Sequence, residues 1–166
     1  MKKVLFVVTV IVFSVTGVTA QEVQESFEKG SKGWWTPSKQ VWSVSNDKAS
    51  EGKSSLKFNC SQFPEGAKGI KYQNVGMKLS AGTYKITAKV FVEENSKVTG
   101  FSIATMKPFK TVSIKFTKLA KGEWVDVEQE ITLEKDASNV VINVSSNPKW
   151  GGTGTFYLDD LKFIKS

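Results

Sequence analysis

The sequence predicts an all-β protein, an antiparallel β-sandwich of the jelly-roll kind, on three observations. Short runs rich in β-branched and aromatic residues recur along the chain, and turn residues such as Gly82, Gly100, Gly122 and Gly151-Gly152 separate them. Strict period-two alternation appears where a run is long enough to show it. No stretch outside the first twenty residues carries the apolar spacing of an amphipathic helix.

Taken in order, ten strands are expected at 23–28, 41–45, 54–60, 69–75, 83–92, 99–105, 111–116, 123–132, 139–145 and 155–164. The clearest is 83–92, where Tyr84, Ile86, Ala88, Val90 and Val92 alternate with Lys85, Thr87 and Lys89. Val112, Ile114 and Phe116 repeat the pattern, as do Val125, Val127 and Ile131. Because successive strand side chains point to opposite faces, each set defines one apolar and one polar face. Asn46-Asp47 and Asn95-Ser96 supply further turns.

The first residues read as a secretory signal. Lys2 and Lys3 precede an apolar run from Val4 to Val18, and Val18-Thr19-Ala20 fits a small-residue cleavage site. The expected organisation is a signal peptide at 1–20 and one β-sandwich domain at 21–166, secreted to the extracellular or periplasmic space with no membrane span after cleavage. A monomer is expected. About 146 residues are enough for a real core, and nine of the eleven Phe and all five Trp lie among them as large packing units. Cys60, the sole cysteine, excludes an intrachain disulfide and is expected to be a buried small hydrophobe.

All 23 basic residues are Lys, and there is neither Arg nor His. Without His there is no imidazole acid–base catalysis, no Ser-His-Asp triad and no histidine-ligated zinc or copper. Without Arg, the bidentate readers of bases and phosphates are missing, so nucleic acid is not the expected partner. The formal charge is +7, or about +5 once Lys2 and Lys3 are removed, which favours an anionic partner such as an acidic polysaccharide or a cell surface. Any metal would be a hard cation with oxygen ligands, calcium being the candidate outside the cell.

The last expected strand contains adjacent carboxylates, Asp159-Asp160, inside an apolar run. On a half-buried strand one of the two should face inward or into a packed edge, where an unpaired charge is costly and needs a partner or a metal. A catalytic alternative lies in Asp126, Glu128 and Glu130, which share one face of the expected 123–132 strand. Residues i and i+2 there are ~6.6 Å apart, compatible with the carboxylate pair of a jelly-roll glycoside hydrolase.

Several stretches together resemble the carbohydrate-binding modules of the family 4, 9, 16 and 22 group, within the galactose-binding-like jelly rolls. They are Ser26-Phe27-Glu28 with Gly33-Trp34, Ser50-Glu51-Gly52-Lys53-Ser54-Ser55-Leu56, Ala81-Gly82-Thr83-Tyr84, Gly122-Glu123-Trp124-Val125 and the closing Phe156-Tyr157-Leu158-Asp159-Asp160-Leu161. The usual Asn-Gly before Phe-Glu is replaced here by Gln24-Glu25. The resemblance implies a non-catalytic module that binds a polysaccharide or oligosaccharide. It also implies a structural calcium held by the carboxylates of Glu28 and Asp159 and by carbonyls near Ser50 and Lys53.

For the sugar itself, Trp35 and Trp150 are the expected aromatic platforms, because both lie in irregular segments bordered by Pro or Gly. Trp34 and Trp124 are expected to be structural. The resemblance further implies that Tyr72, Gln73 and Asn74 bond sugar hydroxyls. Lys107, Lys110 and Lys115 are expected to add contacts to a carboxylated or sulfated glycan. An adhesion or protein-interaction domain on the same sandwich is the other non-catalytic reading.

Overall fold

The computed structural model describes residues 22–166, in which eleven strands form two antiparallel sheets. The expected signal peptide lies outside the described residues. The first sheet orders β3 (Trp42–Ser45), β4 (Ser55–Cys60), β11 (Gly154–Lys165), β6 (Gly82–Val92) and β9 (Trp124–Leu133), with β1 (Glu22–Glu25) also paired to β11. The second orders β2 (Trp34–Trp35), β5 (Gly69–Leu79), β10 (Ala137–Ser145), β7 (Gly100–Lys107) and β8 (Phe109–Lys115). No α-helix occurs among the described residues, and none there is long and apolar enough to cross a membrane.

The alternation read from the sequence is what packs the sandwich. Tyr84, Ile86 and Val90 are fully buried, while Lys85 and Lys89 face outward and pair with Glu128 and Asp126 of β9. Between the sheets Phe156 is the hub. Its ring stacks on Phe58 (5.3 Å) and Phe101 (5.5 Å) and meets the edges of Phe116 (5.1 Å) and Trp42 (5.9 Å). Phe58 and Trp42 come from the first sheet, Phe101 from the second, and Phe116 just follows β8, so one side chain couples both layers. Burying each such ring is worth about 1.5–3 kcal/mol. Cys60 is buried and reduced as expected, and burial pushes its thiol pKa up.

β11 runs through the middle of the first sheet. One edge pairs with β6, while the other pairs first with β4 and then with β1. The change occurs at a β-bulge, where the register shifts between Asp159 and Lys162 and Asp160 takes φ 48°. The extra residue lets Leu158 and Leu161 both face the core, each fully buried. Asp159 and Asp160 therefore both leave the core side of the strand, yet Asp159 is 1% exposed, so one of the two acids is buried and partnered as expected, under a covering loop and not in the core.

The sequence reading also had no strand at 34–35. Those two residues form β2, the edge of the second sheet, against Asn74 and Gln73. Trp34 turns into the core and stacks on Tyr72 at 5.1 Å, whereas Trp35 faces solvent at 53% exposure.

Candidate functional site

Residues directly opposite one another on paired strands share a face of the sheet. Across the second sheet one such row runs Trp35, Gln73, Val141, Ala104 and Thr111. The next row runs Lys71, Asn143, Ser102 and Ser113. Both lie on the outer face, because Tyr72, Ile142 and Ile103, the alternating residues, are in the core. Val141 and Ala104 are only 2% and 7% exposed, yet they stand outside the core cluster. They form the recessed floor of a strip whose neighbours are taller and polar.

Gly69 has a specific role in this strip. A Cβ there would stand 2.7 Å from Asn143 Oδ1, so its bare backbone leaves room for the amide of Asn143. The side chains of Gln73 and Asn143 make no hydrogen bond to other described side chains, leaving their donors and acceptors available to a ligand. None of the five strands of this sheet contains Asp or Glu, although Lys71, Lys78, Lys107, Lys110 and Lys115 all belong to it. The carboxylates carried by strands all sit on the first sheet. A modest net charge is thus segregated onto one side of the sandwich.

The expected binding residues divide between the two faces. Gln73 and Trp35 lie side by side on the outer face. Tyr72 does not join them: it is 2% exposed and stacked in the core between Trp34 and Trp42. Asn74 is also occupied, its Oδ1 accepting the N–H groups of Gly76 (3.0 Å) and Met77 (2.9 Å) to shape an irregularity in β5. Consecutive strand residues cannot share a face, so a contiguous trio was geometrically unavailable.

Trp150 lies at the far end of the sheet, 46% exposed, in the turn that follows β10. The ammonium groups of Lys115 and Lys149 stand 5.0 and 5.1 Å from its ring. Trp35 lies on the edge strand β2, whereas Trp150 sits beyond the strand ends, where neighbouring Gly151 bridges Ser145 of the central strand β10. Lys107 is exposed at the β7–β8 turn, beside exposed Met106 and Phe109. The sequence reading missed Lys71, Ser102, Thr111, Ser113 and Asn143. Polar strand residues of this kind are ordinary until pairing aligns them.

The residues expected to hold calcium do converge, on the loop between β3 and β4. Asp159 Oδ2 accepts the N–H (2.9 Å) and hydroxyl (2.8 Å) of Ser50 and the N–H of Glu51 (3.3 Å), while its Oδ1 accepts Asp160 N–H (2.8 Å). Glu28 Oε1 accepts the N–H groups of Lys53 (2.9 Å) and Ser54 (2.8 Å), which hold its carboxyl below the usual range. These donors direct hydrogens, not oxygens, at both acids. No group of three or more acidic, His or Cys side chains suited to a metal occurs among the described residues. Glu28, Ser50, Lys53 and Asp159, as arranged, do not fit a calcium ion, which needs six to eight oxygens. Millimolar calcium or EDTA is therefore expected to leave the melting temperature unchanged. A calcium-dependent rise that disappears in Asp159→Asn would return the ion to this clasp.

Asp126, Glu128 and Glu130 line the outer face of β9, on the opposite side of the sandwich from the recessed strip. Asp126 pairs with Lys89 at 2.9 Å and Glu128 with Lys85 at 2.7 Å, with carboxylate side chains 83% and 60% exposed. Such a solvated ladder has no wall to hold a sugar between two acids. Trp124 is likewise on this outer face, edge-on to Phe91 at 5.7 Å.

Neither a family model nor a curated protein matches the sequence. Solved structures do match in fold. The chain is similar to "Family 16 Carbohydrate Binding Module-2", with 15% identity over 84% of this chain and 96% of that one and a TM-score of 0.58. It is similar to the CBM22-1 xylan-binding domain of Xyn10C from Paenibacillus barcinonensis, with 17% identity, coverage of 89% and 96%, and a TM-score of 0.58. A third is TmCBM61 in complex with beta-1,4-galactotriose, with 14% identity, coverage of 85% and 94%, and a TM-score of 0.53. The two sheets, their order and these likenesses together establish the jelly-roll β-sandwich fold on which carbohydrate-binding modules are built.

Proposed function

We propose that the protein is an exported, non-catalytic module that binds an extended polysaccharide along the outer face of the second sheet, with a preference for chains carrying carboxylate or sulfate groups. The observation that carries this reading is the recessed strip of Val141 and Ala104, bordered by Trp35, Gln73, Asn143 and Lys71 on strands without a single acid. Trp35 offers an aromatic face to the C–H side of a pyranose ring. Gln73 and Asn143 carry both donors and acceptors, matching hydroxyls that do the same. Lys71 and Lys115 place positive charge at anionic substituents without a competing carboxylate nearby. The likeness in fold to the family 16 module and the xylan-binding domain supports the same class of ligand.

Affinity electrophoresis through gels containing acidic or neutral polysaccharides tests both parts. Retardation is expected in the acidic gels and should weaken as salt rises, since exposed charges are screened within about 10 Å at 0.1 M. Lys71→Ala and Lys115→Ala should each weaken it about two- to fivefold. Equal, salt-insensitive retardation by neutral gels would overturn the charge preference. Free migration in every gel would overturn polysaccharide binding.

A further inference from the structure

Met106 and Phe109 close the β7–β8 hairpin, where they pair directly with each other. They are 39% and 64% exposed, and neither belongs to the core nor packs against it. Met106 lies two residues beyond Ala104 on β7, and Phe109 two residues before Thr111 on β8. The two-residue period therefore puts both on the outer face of the second sheet, in the row beside Trp35, Gln73, Val141, Ala104 and Thr111. Trp35 stands on edge strand β2 and Phe109 on edge strand β8, four strand spacings or ~19 Å apart across the sheet. The recessed Val141 and Ala104 lie between them.

Nothing in the hairpin itself calls for an exposed ring at position 109. The turn is tied by the Thr105 hydroxyl, which donates to the Pro108 carbonyl at 2.7 Å, and by the Lys110–Glu134 pair at 3.1 Å. Phe has no polar tip to hold in water, so a half-wet position is not explained by a hydrogen bond, as it can be for Tyr or Trp. The ring is also unoccupied. The face of Trp150 meets the ammonium groups of Lys115 and Lys149, whereas among the described residues no ring or ammonium stands against Phe109.

We propose that Phe109, flanked by Met106, is the second aromatic platform of the sheet-face site, so that the site takes an internal stretch of glycan crossing all five strands from Trp35 to Phe109. This rests on polysaccharide binding at that face and adds a length requirement to it. A short oligosaccharide reaches one ring only, and a longer one reaches both. A flat apolar partner laid across the same path would leave the Gln73 amide without a hydrogen bond. A glycan offers C–H faces at the two rings and hydroxyls between them.

The test uses affinity electrophoresis in polygalacturonate, alginate and xylan gels, followed by calorimetric titration with the tri- and hexasaccharide of the polymer that retards the wild type most. Phe109→Ala and Phe109→Leu should each weaken retardation about fivefold, while Phe109→Tyr should preserve it, because Leu supplies apolar bulk without a ring face. All three should melt within about 2 °C of the wild type, as expected for an exposed side chain. The wild type should favour the hexasaccharide over the trisaccharide by at least about tenfold, and Phe109→Ala by only about twofold. Retardation of the wild type with no loss in Phe109→Ala would overturn the second platform and leave the sheet-face reading standing. So would full retardation in Phe109→Leu, or a length preference unchanged in Phe109→Ala. A concentration-dependent dimer in analytical ultracentrifugation that Phe109→Ala dissociates would assign the hairpin to a second copy of the chain and overturn it as well. Free migration of the wild type in all three gels would remove this inference together with the reading on which it rests.

Discussion

Asp159→Ala is expected to destabilise the protein by about 3 kcal/mol, lowering the melting temperature by roughly 6–12 °C in calorimetry. Asp159 is 1% exposed, and its carboxylate receives the amides of Ser50, Glu51 and Asp160 and the Ser50 hydroxyl. Truncation removes a buried acceptor and leaves four part-buried donors without their partner, and that loss sets the size of the effect. Asp160→Ala is the internal control. Its partners are Gln24 and Lys162, whose bonds of 2.7 and 2.9 Å lie nearer solvent, so a loss of about 1 kcal/mol is expected. Similar melting temperatures for the two variants would refute the clasp. Its second half has a defined pH dependence. Glu28 is held below the carboxylate value of 4.5 by the Lys53 and Ser54 amides. Its stabilisation is therefore complete above pH 4.5 and is lost as the pH falls through the lower folded value. Glu28→Gln should flatten that acid limb of the stability profile.

Trp35→Ala is expected to abolish gel retardation, a loss of at least about tenfold in affinity, and to shift the melting temperature by no more than about 1 °C. The neighbouring Trp34→Ala should do the reverse. Trp34 is 6% exposed, stacks on Tyr72 at 5.1 Å and donates its indole N–H to Glu25 at 2.8 Å. Its removal leaves a core cavity at a cost of about 3–5 kcal/mol. Trp35, at 53% exposure, contributes little apolar burial to the fold and can give its face to a ligand. Unchanged retardation in Trp35→Ala would remove it from the binding face, whatever its effect on stability.

Much of this architecture was legible along the chain. Tyr84, Ile86, Ala88 and Val90 against Lys85, Thr87 and Lys89 describe β6 correctly because a long strand repeats its two-residue period several times. Trp34-Trp35 could not be read that way, since two residues contain no period, and only pairing with Asn74 and Gln73 assigns one ring to each side. The candidate binding residues suffered from the same limit. Trp35 and Gln73 were identifiable as types, but Lys71, Asn143 and Ser102 come together through register between β5, β10 and β7. Tyr72 and Asn74 were assigned to the wrong role because adjacency in sequence means opposition on a strand.

The closing run Phe156-Tyr157-Leu158-Asp159-Asp160-Leu161 shows the division most clearly. The sequence by itself determined that this is a β-strand and that its paired acids need an explanation, since charge inside an apolar run is costly wherever it folds. Only the tertiary structure decided the answer. The bulge at Asp159-Asp160 adds one residue and turns both carboxylates outward, and the loop from Ser50 to Ser54 then covers Asp159 with amide donors. A local pattern specifies which face a side chain prefers when the strand is regular. Bulges, registers and covering loops are set by contacts between distant segments, so the chemistry of those acids was fixed only when the closing strand met the loop between β3 and β4.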